Sequence, residues 1–274
     1  MATGPGVALP IGTRAAVYLV AYCGDCRMCR RGETGACLRK ERMLGFTHDG
    51  AYAEYMAAPE RCVLPIDPEM HLDNANMLLD VLGTTFHAIR RSRTPAEQMA
   101  AACVMGAGPI GQGAIIALRG LGVPLIYAVD VSPHRLERAA RLGAHVLDGR
   151  EGEVVERIRA LMPDGPDFVL EATGAQAAQR QAIDMAAADG SVVVVGHSSH
   201  AFEVRSSIDL IAQEKTLIGS EYFGVAEFPQ NLALVRDGRV DPLPVISHRM
   251  PLGQIEKAFT LFWSGVTGKV LVYP

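Results

Sequence analysis

The sequence predicts an α/β fold with a doubly wound parallel sheet that has helices on both faces. Between residues 82 and 223, short apolar runs of strand length alternate with segments of helical periodicity. Strands separated by helices of this length form crossover units, and crossover units form parallel sheets. A glycine-rich turn follows the first of these strands and opens the first helix, which is the second observation in favour of this class.

The individual elements follow from apolar runs and from residues that begin or end helices. Ser132 and Pro133 supply an N-cap and a first helical residue after the second strand, and Gly143 can end that helix. Further helices are predicted between the other strands by apolar residues at helical spacing. The predicted strands cover residues 101–105, 125–129, 145–147, 168–170, 192–195 and 215–220.

The regions on either side of this alternation have a different character. Residues 1–81 contain short apolar runs separated by glycine, proline and charged residues, including a predicted strand at 15–22. Residues 224–274 hold two helical patterns and two short strands. We therefore predict a nucleotide-binding domain at 82–223 inserted into a β-rich second domain, which is formed by residues 1–81 and 224–274 together.

The composition argues against two classes of partner. Hydrophobic residues make up 49% of the 274 residues, charged residues make up 20%, and the net charge is -4. Nucleic acids and anionic membranes attract basic surfaces, so we expect neither as a partner. No apolar run approaches the roughly 18 residues that span a bilayer, and no signal-peptide pattern stands out. These features predict a cytoplasmic protein, whose six cysteines stay reduced.

The glycine-rich turn carries the clearest chemical signal. Residues 106–111 read Gly-Ala-Gly-Pro-Ile-Gly, after a strand and before a helix, and Asp130 ends the next strand. This context is the dinucleotide-binding fingerprint of a Rossmann domain. Gly106 permits the tight turn, Gly108 lets the backbone approach a pyrophosphate, and Gly111 allows the helix to pack on the strand. The N–H groups of the helix N-terminus then face the phosphates.

Asp130 predicts which dinucleotide binds. Its carboxylate can accept hydrogen bonds from both hydroxyl groups of the adenine ribose and would repel the 2′-phosphate of NADP, so NAD is the predicted cofactor. Arg135 lies close in sequence and is a cation that could tolerate that phosphate. The alternative interpretation is a glycine turn that only packs a helix, with Asp130 as a solvated loop acid.

A dense cluster of cysteines predicts a metal site. Four thiols within 15 residues can supply the four soft ligands of a tetrahedral zinc ion, and a site filled by protein ligands is structural because no water can bind. A pair of disulfides and a redox Cys-x-x-Cys motif are the alternatives. Cys62 and Cys103 are isolated and are predicted to be small buried hydrophobic residues. The clustered residues are Cys23, Cys26, Cys29 and Cys37.

These two motifs, in this order, resemble the zinc-containing medium-chain dehydrogenase/reductase family, which includes alcohol, polyol and threonine dehydrogenases. The resemblance runs from residue 2 to residue 274. Its matching pieces are Ala-Thr-Gly-Pro-Gly-Val at 2–7, Gly-Thr-Arg at 12–14, Gly-Ala-Tyr-Ala-Glu-Tyr at 50–55, Glu-Ala-Thr-Gly at 171–174 and Gly-Lys-Val at 268–270.

The resemblance implies a fold, an activity and roles for particular residues. The β-rich domain would be GroES-like, and the activity would be NAD-dependent interconversion of a small alcohol and a carbonyl compound, with a zinc ion as Lewis acid. The protein would be a homo-oligomer, either a dimer or a tetramer. Asp80 falls where the family places its third catalytic zinc ligand, although it also fits a helix-terminal surface acid. Thr84 and Ile110 fall where residues line the nicotinamide ring, and Lys269 falls where a cation meets the pyrophosphate.

The sequence departs from this family in one respect. The family's first two catalytic zinc ligands, a cysteine and the histidine of a Gly-His-Glu motif, precede the stretch matched by residues 2–7, and no Gly-His-Glu occurs here. We expect a GroES-like domain that lacks its N-terminal part and an incomplete catalytic zinc site whose zinc is lost. His87 lies one helical turn beyond Thr84, but an Asp80–His87 pair is not the family's site.

Three functional classes remain in view. The first is the dehydrogenase, the second is a non-catalytic NAD-binding or interaction protein that keeps the fold, and the third is a zinc-ribbon nucleic-acid binder, which the net acidic charge disfavours. If part of the GroES-like domain is missing, we expect apolar surface to be uncovered around Tyr18, Val20 and Tyr52.

Overall fold

The computed structural model describes residue 4, residues 6–40 and residues 42–274. The strands are β1 Ala15–Val17, β2 Val20–Ala21, β3 Arg42–Met43, β4 Val63–Pro65, β5 Ala101–Met105, β6 Leu125–Asp130, β7 His145–Asp148, β8 Phe168–Glu171, β9 Ser191–Val194, β10 Thr216–Gly219, β11 Ile246–Pro251 and β12 Lys269–Tyr273. The helices are α1 Arg27–Arg30, α2 Leu72–Met77, α3 Asp80–Arg90, α4 Pro109–Gly120, α5 Pro133–Arg141, α6 Val154–Leu161, α7 Gln176–Met185, α8 Phe228–Arg236 and α9 Ile255–Trp263.

Six parallel strands form the central sheet in the order β10-β9-β8-β5-β6-β7. The chain enters this sheet at β5, in the middle. It forms β6 and β7 on one side and then crosses back to form β8, β9 and β10 on the other side. This is the doubly wound arrangement that the sequence predicts, and each predicted strand agrees with the observed one to within one residue at either end. The strand order reverses between β5 and β8, which is where such sheets bind ligands.

Strand β5 is apolar throughout because it is covered on both faces. Ala102 and Val104 belong to a core that includes α3, α4 and α5, whereas Ala101, Cys103 and Met105 belong to a second core with α6 and α7. Burial raises the pKa of the Cys103 thiol to about 12. Cys103 is therefore the small buried hydrophobic residue that the sequence predicts.

Helix α5 begins and ends at the predicted residues. Ser132 is its N-cap residue, Pro133 is its first helical residue, and Gly143 follows its last turn with a φ of 94°. The Ser132 side chain makes no capping hydrogen bond, however. The carboxylate of Asp130 accepts the Ser132 backbone N–H instead, at 2.8 Å, so the acid that ends β6 also orders the start of the next helix.

The segment between β9 and β10 is tied to α7 by an ionic network. Asp209, which is 3% exposed, accepts hydrogen bonds from Arg180 at 2.6 Å and from the Arg205 backbone N–H at 2.7 Å. Arg180 also binds Asp184, one helical turn away on α7. Hydrogen bonding from Arg180, opposed by burial, holds the pKa of Asp209 well below its usual value.

The flanking regions form small sheets instead of one continuous one. Strands β1 and β4 pair antiparallel, β2 and β3 pair antiparallel, and β11 and β12 pair parallel. The predicted strand at 15–22 is wrong in its continuity, because it breaks between β1 and β2. At the break, Tyr18 donates its backbone N–H to the carbonyl of Cys62 at 2.7 Å, and its ring packs edge-on against Phe223.

Asp73 joins the two ends of the chain. Its buried carboxylate on α2 binds the Arg249 guanidinium of β11 at 2.6 Å and the Tyr273 hydroxyl of β12. The N-terminal and C-terminal regions are therefore in contact, as the predicted second domain requires. The predicted boundary between residues 81 and 82 falls inside α3, and the division into domains stays a prediction.

Apolar surface was expected to be uncovered around Tyr18, Val20 and Tyr52, and two of these three residues are buried. Tyr18 and Val20 are 0% and 1% exposed, so the expectation is wrong for both. The rings of Tyr222 and Phe223 cover Tyr18, each with its centroid 5.1 Å away. Tyr52 is exposed and makes an edge-on contact with Phe259 of α9. In the described part of the chain, no helix is long and apolar enough to cross a membrane.

Candidate nicotinamide and zinc sites

The glycine turn has the geometry that its three glycines predict. Gly106 adopts a φ of 94°, in the left-handed region. A Cβ on Gly111 would overlap the carbonyl oxygen of Gly106 and lie 3.1 Å from Val104 Cγ1, so only glycine lets α4 pack this closely on β5. A Cβ on Gly108 would meet nothing within 4 Å. The face of Gly108 is therefore open, next to the N-terminus of α4.

This open face fits a pyrophosphate. Gly108 is the N-cap residue of α4, so the first N–H groups of the helix point towards the space above it. Any side chain at Gly108 would fill that space. A bound dinucleotide of this kind would supply hydride transfer at its nicotinamide ring. The protein would bind the dinucleotide and orient that ring.

Asp130 is buried and is not a solvated loop acid. Its Oδ2 accepts the Ala107 backbone N–H at 2.7 Å and lies 3.8 Å from Arg135 Nη1. Its Oδ1 accepts the Ser132 backbone N–H. The carboxylate thus connects the glycine turn to the start of α5. An ionised carboxylate offers about four acceptor positions, so positions remain for the hydroxyl groups of a ribose.

Arg135 is held partly away from the carboxylate. Its Nε donates to the carbonyl oxygen of Gly265 at 3.1 Å, so the guanidinium bridges α5 and the turn before β12. The separation of 3.8 Å from Asp130 makes it a neighbouring charge without a short hydrogen bond.

A cavity of about 340 Å³ opens beside the carboxyl ends of β8, β9 and β10. Three predicted site residues line it together: Asp80 and Thr84 from α3, and Ile110 from the first turn of α4. Residues distant in sequence meet there because α3 packs along α4 above the switch point of the sheet. The strand ends contribute Ala172, Val195, His197, Ser220, Glu221 and Tyr222.

Asp80 is the first residue of α3 and is half exposed. Its Oδ2 accepts a hydrogen bond from Lys269 Nζ at 3.1 Å. Burial, reinforced by the nearby charge of Asp80, raises the pKa of Tyr222 well above its usual value. The hydrogen bond places the Lys269 ammonium next to the Asp80 carboxylate. The predicted contact of Lys269 with a pyrophosphate stays a prediction.

His87 does not join Asp80. Its Nδ1 lies 2.6 Å from Glu227 Oε1, and Arg90 binds the other carboxylate oxygen at 2.7 Å. Burial alone would raise the pKa of Glu227, but the hydrogen bond from His87 and the contacts of Arg90 hold it below its usual value. His87 lines an adjoining cavity of about 440 Å³ between β9 and the cysteine lobe, which comprises residues 23–40. The two cavities share His197 and Glu221 in their walls.

The four clustered cysteines converge on one point. Their sulfur atoms lie 3.5 to 4.0 Å apart along the contacts from Cys23 to Cys29, Cys29 to Cys26, Cys26 to Cys37 and Cys37 to Cys23. A tetrahedron with Zn–S bonds of about 2.3 Å has S···S edges of about 3.8 Å. Disulfide bonds would need about 2.05 Å, and all six cysteines are free. The residues present fit a Zn(Cys)4 site.

Backbone groups prepare this cluster for a cation. The N–H of Cys26 donates to Cys23 Sγ at 3.4 Å, and the N–H of Arg39 donates to Cys37 Sγ at 3.4 Å. N–H donors from Cys29 and then Leu38 hold the pKa of the Cys26 thiol well below its usual value. Within residues 4, 6–40 and 42–274, this is the one group of three or more His, Cys, Asp or Glu residues that could hold a metal.

The cysteine lobe is fixed to the chain segment that follows β10. Thr34 Oγ1 accepts the Val225 backbone N–H at 2.8 Å and lies 3.0 Å from the Tyr18 hydroxyl. At the lobe's outer edge, Lys40 Nζ binds Glu221 Oε2 at 3.1 Å. Glu221 also lines the 340 Å³ cavity, so this ion pair connects the lobe to a residue of the cavity wall.

Two buried polar residues near the turn have no role in the sequence-based interpretation. Gln112 on α4 is fully buried, donates to the Ala107 carbonyl at 2.8 Å and accepts from Arg138 Nε at 3.1 Å. Glu171, noted only as part of the Glu-Ala-Thr-Gly match, is fully buried and accepts the Thr173 backbone N–H at 2.7 Å. A polar residue on an apolar helix face is the signal that could have revealed Gln112.

Comparisons with known proteins agree with this architecture. A family model described as zinc-binding dehydrogenase matches residues 109–237, and one described as alcohol dehydrogenase GroES-like domain matches residues 1–68. The L-threonine 3-dehydrogenase of Rhizobium johnstonii is 32% identical over 267 residues, which cover 96% of this chain and 75% of that protein.

Solved structures extend the comparison. Alcohol dehydrogenase TADH from Thermus sp. ATN1 superposes with a TM-score of 0.89 at 29% identity, covering 99% of this chain and 82% of its own. The rspB alcohol dehydrogenase of Escherichia coli CFT073, solved with NADH, has a TM-score of 0.91 at 24% identity, covering 100% and 80%, and shows a likeness of fold alone. The predicted fold, a Rossmann domain with a GroES-like domain, is confirmed.

The relatives are named dehydrogenases, and both parts of the chain match dehydrogenase domains. The chain therefore belongs to the zinc-containing, alcohol dehydrogenase-like family of oxidoreductases, whose members use a nicotinamide cofactor and act on small molecules.

Proposed function

We propose that this chain is an oxidoreductase that uses NAD in preference to NADP and interconverts an alcohol and a carbonyl compound. One observation carries the cofactor preference. The buried Asp130 carboxylate is bound to the glycine turn and stands beside the open face of Gly108. A phosphate on the ribose would place about two negative charges next to the desolvated carboxylate of Asp130. The repulsion between these charges would weaken binding of NADP.

The cofactor would extend from Asp130 across the turn to the cavity. Gly106, Gly108 and Gly111 would bind the pyrophosphate at the start of α4, with Arg135 beside the ribose. Thr84 and Ile110 would contact the nicotinamide ring, since both line the cavity at the strand ends. The substrate would enter the same cavity, whose volume of about 340 Å³ suits a small molecule.

We propose that Cys23, Cys26, Cys29 and Cys37 hold one structural zinc ion. The S···S distances of 3.5 to 4.0 Å and the N–H groups directed at the sulfur atoms support this assignment. The ion would order a lobe that contains only a four-residue helix and short turns.

The catalytic zinc site is proposed to be incomplete. Asp80 belongs to no convergent group of metal ligands in the described part of the chain, and its carboxylate is bound to Lys269. This observation also favours the alternative function, a non-catalytic NAD-binding or interaction protein that retains the dehydrogenase fold. A cytoplasmic location and a homo-oligomeric state remain predictions.

The cofactor proposal is tested by titrating the protein with NADH and with NADPH in a calorimeter. We expect NADH to bind at least about tenfold more tightly, which corresponds to roughly 1.4 kcal/mol. Asp130→Ser should narrow the gap, because it removes the charge and keeps a hydrogen-bonding group. Arg135→Gln is the matched variant and should weaken NADPH more than NADH. Equal affinities for the two dinucleotides in the parent protein contradict the proposal.

The two candidate functions are separated by adding a carbonyl substrate to the NADH complex. Oxidation of NADH, followed at its absorbance band, indicates the enzyme. Binding of NADH with no oxidation by a broad panel of aldehydes and ketones, with or without added zinc, indicates the non-catalytic protein.

A further inference from the structure

The glycine turn contains one residue whose two backbone polar groups are both bound by side chains. Ala107 lies between Gly106 and Gly108 and is fully buried. Its N–H donates to Oδ2 of Asp130 at 2.7 Å, and its carbonyl oxygen accepts a hydrogen bond from Nε2 of Gln112 at 2.8 Å. The acid that ends β6 therefore orients the peptide bond before Ala107, and a glutamine of α4 orients the peptide bond after it.

The orientation of the second peptide bond decides where a donor points. In a trans peptide bond the C=O and the N–H point in opposite directions. Since the Ala107 carbonyl points to Gln112, the N–H of Gly108 points away from Gln112. Gly108 is half-buried, and no described residue accepts its N–H. A Cβ on Gly108 would meet nothing within 4 Å, so this free donor belongs to the open part of the turn.

The peptide bond between Ala107 and Gly108 would have two accessible orientations if Gln112 did not hold it. Gly108 has no Cβ, so it tolerates the positive φ that a rotated peptide bond requires. The rotated form would direct the Ala107 carbonyl oxygen to the open side and turn the Gly108 N–H inwards. A carbonyl oxygen carries a partial negative charge, so the rotated form would repel a phosphate that the observed form attracts.

Gln112 selects the observed orientation because water cannot replace its amide. Gln112 is 0% exposed, as is Ala107. Loss of the amide would leave the Ala107 carbonyl oxygen buried without a donor, and an unpaired buried acceptor is unfavourable. Rotation of the peptide bond would relieve this penalty by exposing the carbonyl oxygen, at the expense of the Gly108 donor.

Arg138 of α5 fixes which end of the Gln112 amide faces the turn. Its Nε donates to Gln112 Oε1 at 3.1 Å. A guanidinium has no acceptor, so the amide oxygen faces Arg138 and the NH2 group faces Ala107. The Nη2 of Arg138 is itself held by the carbonyl oxygens of Pro244 and Val245, each at 3.0 Å. The direction of the Gln112 donor is therefore set before any ligand binds.

We propose that Gln112 is a positioning residue for the pyrophosphate of the dinucleotide. It holds the peptide bond between Ala107 and Gly108 so that the Gly108 N–H faces the open side of the turn, where the pyrophosphate is proposed to bind. Gln112 does not touch the ligand, and Arg138 assists by orienting its amide. This inference rests on the proposed function, in which the glycine turn binds the dinucleotide.

The test compares two ligands that share an adenosine. ADP-ribose carries the pyrophosphate, whereas adenosine carries no phosphate and depends on Asp130 without depending on the Gly108 N–H. Calorimetry measures the dissociation constant of ADP-ribose, and ligand-observed NMR measures that of adenosine. Thermal unfolding followed by circular dichroism checks that each variant is folded. A role of Gln112 in stability alone would leave the ratio of the two dissociation constants unchanged.

Two variants of Gln112 remove the donor in different ways. Gln112→Met replaces the amide with an apolar group of similar length. Gln112→Glu keeps the shape and the contact with Arg138, but a carboxylate cannot donate to the Ala107 carbonyl. Gln179→Met is the matched control, because Gln179 of α7 is 3% exposed and its Oε1 has no hydrogen-bond partner among the described residues.

We expect Gln112→Met and Gln112→Glu each to weaken ADP-ribose by about tenfold or more. The dissociation constant of adenosine should stay within about threefold of the parent value in both variants. NADH should follow ADP-ribose, since it carries the same pyrophosphate. Gln179→Met should change neither dissociation constant.

The measurements separate four ways in which the inference fails. If the Gln112 variants bind ADP-ribose as the parent does, another group orients the peptide bond and the proposed function stands. If ADP-ribose and adenosine weaken in the same proportion, Gln112 supports the turn as a whole. If neither variant folds, the amide serves the fold; if only Gln112→Met is unfolded, Gln112→Glu decides. If the parent protein binds neither ADP-ribose nor NADH, the proposed function fails first and the inference fails with it.

Discussion

Two alanine substitutions in the glycine turn should separate cofactor binding from folding. A Cβ at Gly108 meets no atom within 4 Å, and the backbone there has a φ of -67°, which alanine adopts freely. A Cβ at Gly111 overlaps the Gly106 carbonyl oxygen and approaches its carbonyl carbon to 2.9 Å. Gly108→Ala should therefore affect the bound ligand, and Gly111→Ala should affect the protein itself.

The magnitudes follow from these contacts. Gly108→Ala should change the free energy of unfolding by no more than about 1 kcal/mol, because alanine is a weaker N-cap residue but reduces the freedom of the unfolded chain. Its methyl group would displace a phosphate and lengthen at least one charge-assisted hydrogen bond, which is worth about 1.5 to 3 kcal/mol. The dissociation constant of NADH should rise about 10- to 100-fold.

Gly111→Ala requires movement of a backbone carbonyl between β5 and α4. Overpacking of this kind costs about 3 kcal/mol or more, and a protein of this size loses roughly 2 to 4 °C in Tm per kcal/mol. We expect Tm to fall by at least about 6 °C. Thermal unfolding followed by circular dichroism measures stability, and quenching of protein fluorescence by NADH measures binding.

The two variants serve as controls for each other. If Gly108→Ala binds NADH as tightly as the parent protein, phosphate does not approach the open face of Gly108. A Gly111→Ala variant that melts at the parent temperature would show that the close packing of α4 on β5 is not as described. Either result refutes the assignment of the turn.

Further predictions concern the metal lobe and the ionic network. Cys26→Ser should reduce zinc content below one ion per chain after dialysis against a mild chelator, as measured by atomic absorption, whereas Cys103→Ser should keep its zinc. Full zinc occupancy in Cys26→Ser would exclude this thiol as a ligand. Asp209→Asn should lower the free energy of unfolding, measured in urea, by about 2 to 4 kcal/mol, because it removes the buried charge that Arg180 and Arg205 bind. Glu137→Gln is the control at an exposed ion pair and should change that free energy by less than about 0.5 kcal/mol. Since the folded pKa of Asp209 is lowered, its contribution is present above the unfolded pKa of about 3.9 and is lost as pH falls towards the folded pKa. The difference between the urea midpoints of the parent and of Asp209→Asn should therefore shrink steadily as the pH falls below about 4, and a difference that stays constant from about pH 5 to about pH 2 would contradict this assignment.

Much of the nucleotide-binding half could be predicted from local patterns. The six strands of the central sheet alternate with helices. The inner strands β5, β6, β8 and β9 are short apolar runs because both faces of the sheet are covered there. Gly106, Gly108 and Gly111 act through their own backbone geometry, which a local motif specifies. The four clustered cysteines lie within 15 residues, so their convergence depends on one short lobe and needs little from the rest of the chain.

The tertiary structure decided what depends on residues far apart in the chain. The break between β1 and β2 arises because Tyr18 turns inward against Phe223, about 200 positions later, and no periodicity in the segment predicts that contact. The pairing of Asp80 with Lys269 depends on how β12 returns beside α3. Long-range pairs of this kind have no local signature, since their sequence spacing is set by the path of the whole chain. The sequence by itself determined which strands of the central sheet form and where the glycine turn lies, and the packing of distant segments decided which charge pairs with Asp80.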